Sequence, residues 1–68
     1  MKNNLRVERA ILNVTQAELA ERVNVSRQTI NTIEAGKYTP STVLALKIAR
    51  VFGKKVEDIF FLEDEEAG

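Results

Sequence analysis

Residues 15 to 37, TQAELAERVNVSRQTINTIEAGK, predict two short amphipathic helices joined by a tight turn. Thr15 can cap the first helix, and Leu19 and Val23 fall at the spacing that lines one helical face. Ser26 is placed to cap the second helix. Because the connection is so short, the two helices must cross at a fixed angle.

Three small or turn-forming residues support this helix pair. Ala20 is small at the point where two crossing helices come close. Asn24 falls in the turn, where a positive φ is expected, and asparagine is among the few non-glycine residues that tolerate it. Gly36 is placed to end the second helix, expected from residue 27 to about residue 34, in the same left-handed conformation.

Start and stop residues elsewhere in the chain predict three more helices. The first spans residue 4 or 5 to residue 12. Pro40 and Ser41 indicate the start of a fourth, strongly apolar helix, which Gly53 ends. A last helix is expected at residues 56 to 60. Together these helices predict an all-α fold of five helices.

The length and composition restrict both the architecture and the chemistry. The 68 residues allow one compact domain, residues 1 to 68. The chain has no cysteine and no histidine, so disulfides and the usual zinc ligand sets are absent, and no cofactor is expected. No histidine or cysteine is therefore present to serve as a catalytic base or nucleophile, which argues against an enzyme.

No segment of the sequence predicts a membrane or small-molecule partner. No apolar run approaches the length of a membrane span, and the amino terminus lacks the apolar core of a signal peptide. The cytoplasm is therefore the expected compartment. The sequence indicates no pocket for a small-molecule ligand.

The charges are balanced in number but not in position. All ten basic residues lie at or before Lys55, whereas six of the ten acidic residues lie in residues 57 to 68. Residues 1 to 55 therefore carry a formal charge of +6. This asymmetry favours a basic body that meets nucleic acid and an acidic end that points away. Residues 64 to 68 are expected to be a solvated, frayed terminus rather than a functional acidic arm.

Three motifs lie within the helix pair: T-Q-x-E-L-A at residues 15 to 20, S-R-Q-T-I at residues 26 to 30, and I-E-x-G-K at residues 33 to 37. Through them the chain resembles the phage repressor/Cro family of helix-turn-helix DNA-binding proteins, and the resemblance covers nearly the whole chain. There are two departures. Asn24 replaces the usual glycine of the turn, and Ile11 and Leu12 fall where such proteins commonly carry polar residues.

The resemblance implies that the second helix of the pair lies in the major groove of double-stranded DNA, with its first residues facing base edges. The expected base contacts are Arg27, Gln28, Thr29 and Thr32. The expected backbone contacts are Thr15, Gln16, Asn31, Lys37 and Tyr38. A phosphate contact explains Arg27 nearly as well as base recognition, and packing on the core explains Tyr38 equally well.

The resemblance also implies two structural features. In such proteins an arginine in the first helix of the chain pairs with the glutamate that closes the second helix of the pair. Arg9 and Glu34 occupy these positions. Small members of the family sometimes join their two ends in a short β-ribbon. The alternation in residues 60 to 64, FFLED, and the extended-compatible residues 2 to 5 allow this ribbon here, as an alternative to continued helix.

A homodimer is expected, because one helix in one groove rarely specifies a site and two half-sites lie about 34 Å apart. The candidate interface consists of apolar residues near the carboxy terminus, Phe60, Phe61 and Leu62, with Ile11 and Leu12 as further candidates. Phe60 or Leu62, taken singly, is equally well explained by completion of the core of one chain.

The functional hypothesis is a sequence-specific, homodimeric transcriptional regulator, acting as a repressor at a palindromic operator. One alternative is an antitoxin-like autoregulator that also binds a toxin protein. A second alternative is a protein-interaction module that has kept the scaffold and lost DNA binding.

Overall fold

A computed structural model describes residues 1 to 67 of the chain. In chain order the elements are β1 Lys2–Asn3, α1 Leu5–Leu12, α2 Gln16–Val23, α3 Arg27–Glu34, α4 Thr42–Phe52, α5 Val56–Ile59, β2 Phe60–Phe61 and α6 Asp64–Ala67. The helical fold is confirmed, and the five expected helices lie at nearly the predicted bounds. The short helix α6 was not expected.

Side-chain caps fix where the two helices of the motif begin. Thr15 and Glu18 form a reciprocal capping box, in which the Glu18 N–H donates to Thr15 Oγ1 at 3.0 Å and the Thr15 N–H donates to Glu18 Oε1 at 2.9 Å. The hydrogen bond from the Thr15 backbone lowers the pKa of the Glu18 carboxyl group. Ser26 Oγ accepts the Thr29 N–H at the start of α3. The predicted caps at Thr15 and Ser26 are therefore confirmed.

Left-handed residues set the directions in which successive helices leave one another. Asn24 has a φ of 60° and ends α2, and Gly36 has a φ of 75° just after α3, as the sequence predicted. Asn13, with a φ of 58°, plays the same part between α1 and α2, which the sequence reasoning did not anticipate. Asparagine is thus used twice where glycine would be more common.

One apolar core joins α1 to α5. Its fully buried side chains are Leu5, Leu19, Val23, Ile30, Ile33, Ile48 and Ile59. Ala20 of α2 is also buried in this core. Glu8 is buried as well, and its Oε2 accepts a hydrogen bond of 2.8 Å from Lys54 Nζ.

The two chain ends pair in the antiparallel β-ribbon that was expected as an alternative. Lys2 lies opposite Phe61 and Asn3 lies opposite Phe60. The Asn4 N–H adds a hydrogen bond of 2.8 Å to the Ile59 carbonyl oxygen. A ribbon this short is stable only when it is packed, and the burial of Phe60 in the core supplies that packing.

The expectation of a frayed carboxy terminus is wrong for Asp64–Ala67, which forms α6. Glu66 explains the order, because its Oε1 accepts the Glu63 N–H at 2.9 Å and lies 3.4 Å from the amino-terminal ammonium of Met1. These contacts also lower the pKa of Glu66. Gly68, the last residue of the expected frayed segment, lies outside the described residues. None of the helices within residues 1 to 67 has the length and apolar character needed to cross a membrane.

Candidate nucleic-acid interface

Helix α3, called the recognition helix below, has one buried face and one polar face. Ile30 and Ile33 lie in the core, whereas Arg27, Gln28 and Asn31 are exposed. The three exposed residues line one shallow surface depression. The predicted base contacts Arg27 and Gln28 therefore lie beside the predicted backbone contact Asn31, at the first two turns of the helix.

Thr29 and Thr32 are half-buried, and their hydroxyl groups are engaged within the helix. Thr32 Oγ1 donates to the carbonyl oxygens of Gln28 and Thr29 at 3.1 and 2.9 Å. Thr29 Oγ1 lies 2.9 Å from Ser26 Oγ. Because the Thr32 proton is used locally, this residue is better suited to a methyl contact with thymine than to donating a hydrogen bond to a base.

An ion-pair network holds the carboxy-terminal end of the recognition helix. The Arg9 guanidinium binds Glu34 through two of its nitrogens, with Nη2 donating to Oε1 at 3.0 Å and Nε donating to Oε2. Arg9 Nη1 also donates to the Val14 carbonyl oxygen at 3.0 Å. Gln16 Nε2 donates to Glu34 Oε1 at 3.2 Å. Glu34 therefore connects α3 to α1 and α2 at once.

Burial and hydrogen bonding have opposite effects on the pKa of the Glu34 carboxyl group. Its side chain is 2% exposed, and this burial by itself disfavours the charged carboxylate. The hydrogen bonds from Arg9 and Gln16 outweigh burial, and the pKa of Glu34 is lowered. The hydrogen bond between Arg9 and Glu34 also raises the pKa of the Arg9 guanidinium. Both groups are therefore charged at neutral pH.

Gln16 has a second role that the sequence did not indicate. It was predicted to hold a phosphate at the amino terminus of α2, but its side-chain amide also holds Glu34. The backbone N–H groups of Gln16 and Ala17, the first two residues of α2, remain suited to an anion, because they have no acceptor within the helix. The neighbouring Thr15 hydroxyl accepts the Glu18 N–H.

Lys37 and Tyr38 lie on the surface immediately after the recognition helix. The Lys37 N–H donates to the Thr32 carbonyl oxygen at 3.0 Å and the Gly36 N–H donates to the Ile33 carbonyl oxygen at 3.0 Å, which completes a Schellman motif. This motif fixes the direction in which the chain leaves α3. Tyr38 is 50% exposed, which favours a surface role over packing in the core.

The residues predicted for a dimer interface fall into two groups. Phe60 is 7% exposed and belongs to the core of one chain, whereas Phe61 and Leu62 are 37% and 59% exposed. Ile11 and Leu12 are exposed on α1, on a separate element.

Sequence reasoning missed Asn3, whose side-chain Nδ2 donates to the Ile33 carbonyl oxygen near the end of the recognition helix. No local pattern marks this residue. The contact joins positions 30 residues apart, and it depends on the register of the terminal β-ribbon.

Comparison with known proteins supports the assignment of the motif. A helix-turn-helix family model matches residues 5–59. The chain is 59% identical over 66 residues to an HTH-type transcriptional regulator of Methanocaldococcus jannaschii. This match covers 97% of this chain and 100% of the relative. It is 49% identical over 65 residues to the HTH-type transcriptional regulator YgzD of Bacillus subtilis, with 96% and 98% covered.

Two solved structures share the fold. They are the clp gene regulator ClgR from Corynebacterium glutamicum, with a TM-score of 0.74 and 35% identity, and the SOS-response transcriptional repressor LexA from Eubacterium rectale, with a TM-score of 0.76 and 33% identity. The matches cover 79% and 81% of this chain but only 57% and 58% of those chains. The capped and crossed pair α2 and α3, the match over residues 5–59 and the full-length relatives together show that the chain belongs to the XRE-type helix-turn-helix family of DNA-binding transcriptional regulators.

Proposed function

We propose that the protein is a sequence-specific regulator that binds a palindromic DNA operator in the cytoplasm as a homodimer and represses transcription by covering a promoter. The observation that carries the proposal is the polar face of the recognition helix, on which Arg27, Gln28 and Asn31 are exposed while Ile30 and Ile33 are held in the core. A rigid helix with free polar side chains at its first turns suits the major groove.

The donor groups on this face match base edges and phosphates. The Arg27 guanidinium can pair with O6 and N7 of guanine, and the Gln28 amide can pair with N6 and N7 of adenine. Asn31 and Lys37 lie further along the same helix and just beyond it, where contacts to the sugar-phosphate backbone would fix the register. The acidic end is not remote from this helix, because Glu63 lines a surface depression together with Glu34, Ala35 and Gly36.

Selection of bound duplexes from a random pool tests sequence specificity and symmetry together. We expect a palindromic consensus whose half-sites are separated by about one helical turn, 34 to 36 Å. Affinity for the selected duplex should fall steeply with salt concentration, since phosphate contacts release counterions. A pool that yields no consensus, or binding that does not depend on salt, would contradict the proposal and favour a protein-interaction module.

The sign of regulation is tested with the selected site placed across a reporter promoter. Repression by occlusion requires only that the bound protein cover the promoter, and the structurally similar LexA is itself a transcriptional repressor. We expect reporter output to fall when the protein is produced. A rise in output would contradict repression but leave DNA binding intact.

The size of one chain supports the proposed dimer. The described residues extend over 34 × 22 × 20 Å and present a single recognition helix, so one copy can cover one half-site. We propose that the second copy packs on the C-terminal surface, defined by Leu46, Phe60, Phe61 and Leu62. Phe60 lines an apolar groove of about 490 Å³ together with Leu46, which is 56% exposed. Burial of the exposed side chains of this surface, Leu46, Phe61 and Leu62, between two copies would supply the driving force, whereas Phe60 is already buried within each chain.

Single charged substitutions should locate the interface. We expect sedimentation equilibrium to show a dimer for the wild type and a shift toward monomer for Leu46→Asp and for Leu62→Asp. Ile11→Asp is the matched control, because Ile11 is 71% exposed but lies on α1. A monomeric wild type would contradict the dimer, and loss of the dimer in Ile11→Asp alone would move the interface to α1.

A further inference from the structure

The side chain of Asn3 joins three parts of the molecule that are distant in sequence. Its Nδ2 donates to the Ile33 carbonyl oxygen at 2.9 Å, near the end of the recognition helix. Its Oδ1 accepts the Leu5 backbone N–H at 3.0 Å, at the start of α1. Its backbone lies opposite Phe60 in the β-ribbon. One amide group therefore connects the recognition helix with α1 and with the paired chain ends.

The Ile33 carbonyl group is one of the last four of its helix, which have no acceptor role within the helix itself. It accepts two hydrogen bonds, from the Gly36 N–H at 3.0 Å and from Asn3 at 2.9 Å. The Met1 carbonyl oxygen also lies within 3.5 Å of the position that a Cβ on Gly36 would occupy. The amino-terminal segment thus meets the same end of the recognition helix at two points.

Anchors at this end control the position of the base-facing residues at the other end. Eight residues make a helix about 12 Å long, so a tilt of about 5° around the carboxy-terminal end moves the first turn by about 1 Å. Hydrogen bonds to bases are favourable only over a donor–acceptor range of about 0.5 Å. Small changes in the tilt of α3 would therefore weaken contacts from Arg27 and Gln28.

We propose that Asn3 is a positioning residue for base recognition, which sets the tilt of the recognition helix through the Ile33 carbonyl group and makes that tilt depend on the terminal β-ribbon. Glu34 anchors the helix to α1 and α2, and Asn3 anchors it to the ribbon that contains Phe60 and Phe61. The inference rests on the proposed function, because it concerns the same DNA-binding surface.

Two substitutions at this position separate its two hydrogen bonds. Asn3→Asp keeps an oxygen that can accept the Leu5 N–H but removes the donor to Ile33, whereas Asn3→Ala removes both. The matched controls are Asn4→Asp and Asn4→Ala, because Asn4 is the exposed neighbour and its side chain makes no capping hydrogen bond. Asn4→Asp also controls for the added negative charge.

The measurement is the ratio of affinities for the selected duplex and for a scrambled duplex, taken well below the melting temperature of every variant. We expect both Asn3 variants to lower this ratio about fivefold, the effect of about one net hydrogen bond, and both Asn4 variants to keep it. Use of the ratio cancels uniform effects of charge on DNA binding.

Each other outcome has a definite meaning. A purely structural Asn3 would lower the melting temperature and leave the affinity ratio at the wild-type value, which would overturn the inference. If Asn3→Ala lowered the ratio but Asn3→Asp did not, the effect would come from the lost hydrogen bond to the Leu5 N–H. That result would overturn the inference as well. A wild-type ratio near one would instead overturn the proposed function, and this inference with it.

Discussion

Replacement of Glu34 by alanine is expected to lower the free energy of unfolding by about 3 kcal/mol, near the lower end for breaking a buried ion pair from one side. The Glu34 side chain is 2% exposed and accepts hydrogen bonds from Arg9 and Gln16. Its removal leaves the Arg9 guanidinium, only 17% exposed, with the Val14 carbonyl oxygen as its remaining acceptor. Chemical denaturation followed by circular dichroism, at one protein concentration, measures the change.

A loss of this size is large for so short a chain, whose core supplies roughly 3–5 kcal/mol. Glu21→Ala is the matched control, since Glu21 is an exposed glutamate on α2, and we expect a change within about 0.5 kcal/mol. The double variant Arg9→Met with Glu34→Met should recover much of the loss, because it leaves no unpaired buried charge. An unchanged free energy of unfolding in Glu34→Ala would show that the pair contributes nothing to stability.

The lowered pKa of Glu34 gives the same pair a pH dependence. Because the pKa is lower in the folded state than in the unfolded chain, ionisation of Glu34 stabilises the fold above the ordinary glutamate pKa of about 4.3. That stabilisation is lost as the pH falls through the lowered pKa. The difference in unfolding free energy between the wild type and Glu34→Gln should therefore stay constant between about pH 7 and pH 5 and shrink in more acidic solution. If the difference in unfolding free energy stayed the same in acid, the pH dependence would not come from the ionisation of Glu34.

The helices could be predicted because their signals are local. Thr15 and Ser26 cap the helices of the motif, and Gly36 ends the second, through contacts within four residues of each cap. The apolar spacing of Leu19, Ile30 and Ile33 then identifies the buried faces. Local patterns of this kind also place Arg27 and Gln28 on the free side of the recognition helix.

The features that escaped prediction depend on contacts between distant residues. The bond from Gln16 to Glu34 and the bond from Asn3 to Ile33 exist only after helices and chain ends have been brought together. Phe60 and Phe61 are identical in type and adjacent, yet only the register of the ribbon decides that Phe60 is buried and Phe61 is partly exposed. Helix α6 depends in the same way on the position of the amino-terminal ammonium.

Arg27→Ala is expected to weaken binding to the selected operator by about 1–3 kcal/mol, or about 5- to 150-fold, and to relax the base preference at one position. The physical reason is that a bidentate guanidinium pairs with guanine more strongly than with the other bases. Lys37→Ala is the contrasting variant, because a lysine charge near a phosphate carries no sequence information. It should weaken all duplexes similarly and reduce the salt slope by about one unit.

The comparison of these two variants decides the role of Arg27. Each removes one exposed cation, so a difference between them in sequence preference cannot come from net charge. Arg50→Ala, which removes an exposed cation from α4, measures the general effect of charge on affinity. If Arg27 recognises a base, the selected consensus should lose one position in Arg27→Ala. It should keep every position in Lys37→Ala and Arg50→Ala. Equal, sequence-independent losses from Arg27→Ala and Lys37→Ala would show that Arg27 binds a phosphate, and base discrimination would then depend on Gln28 and the threonine methyl groups of the recognition helix.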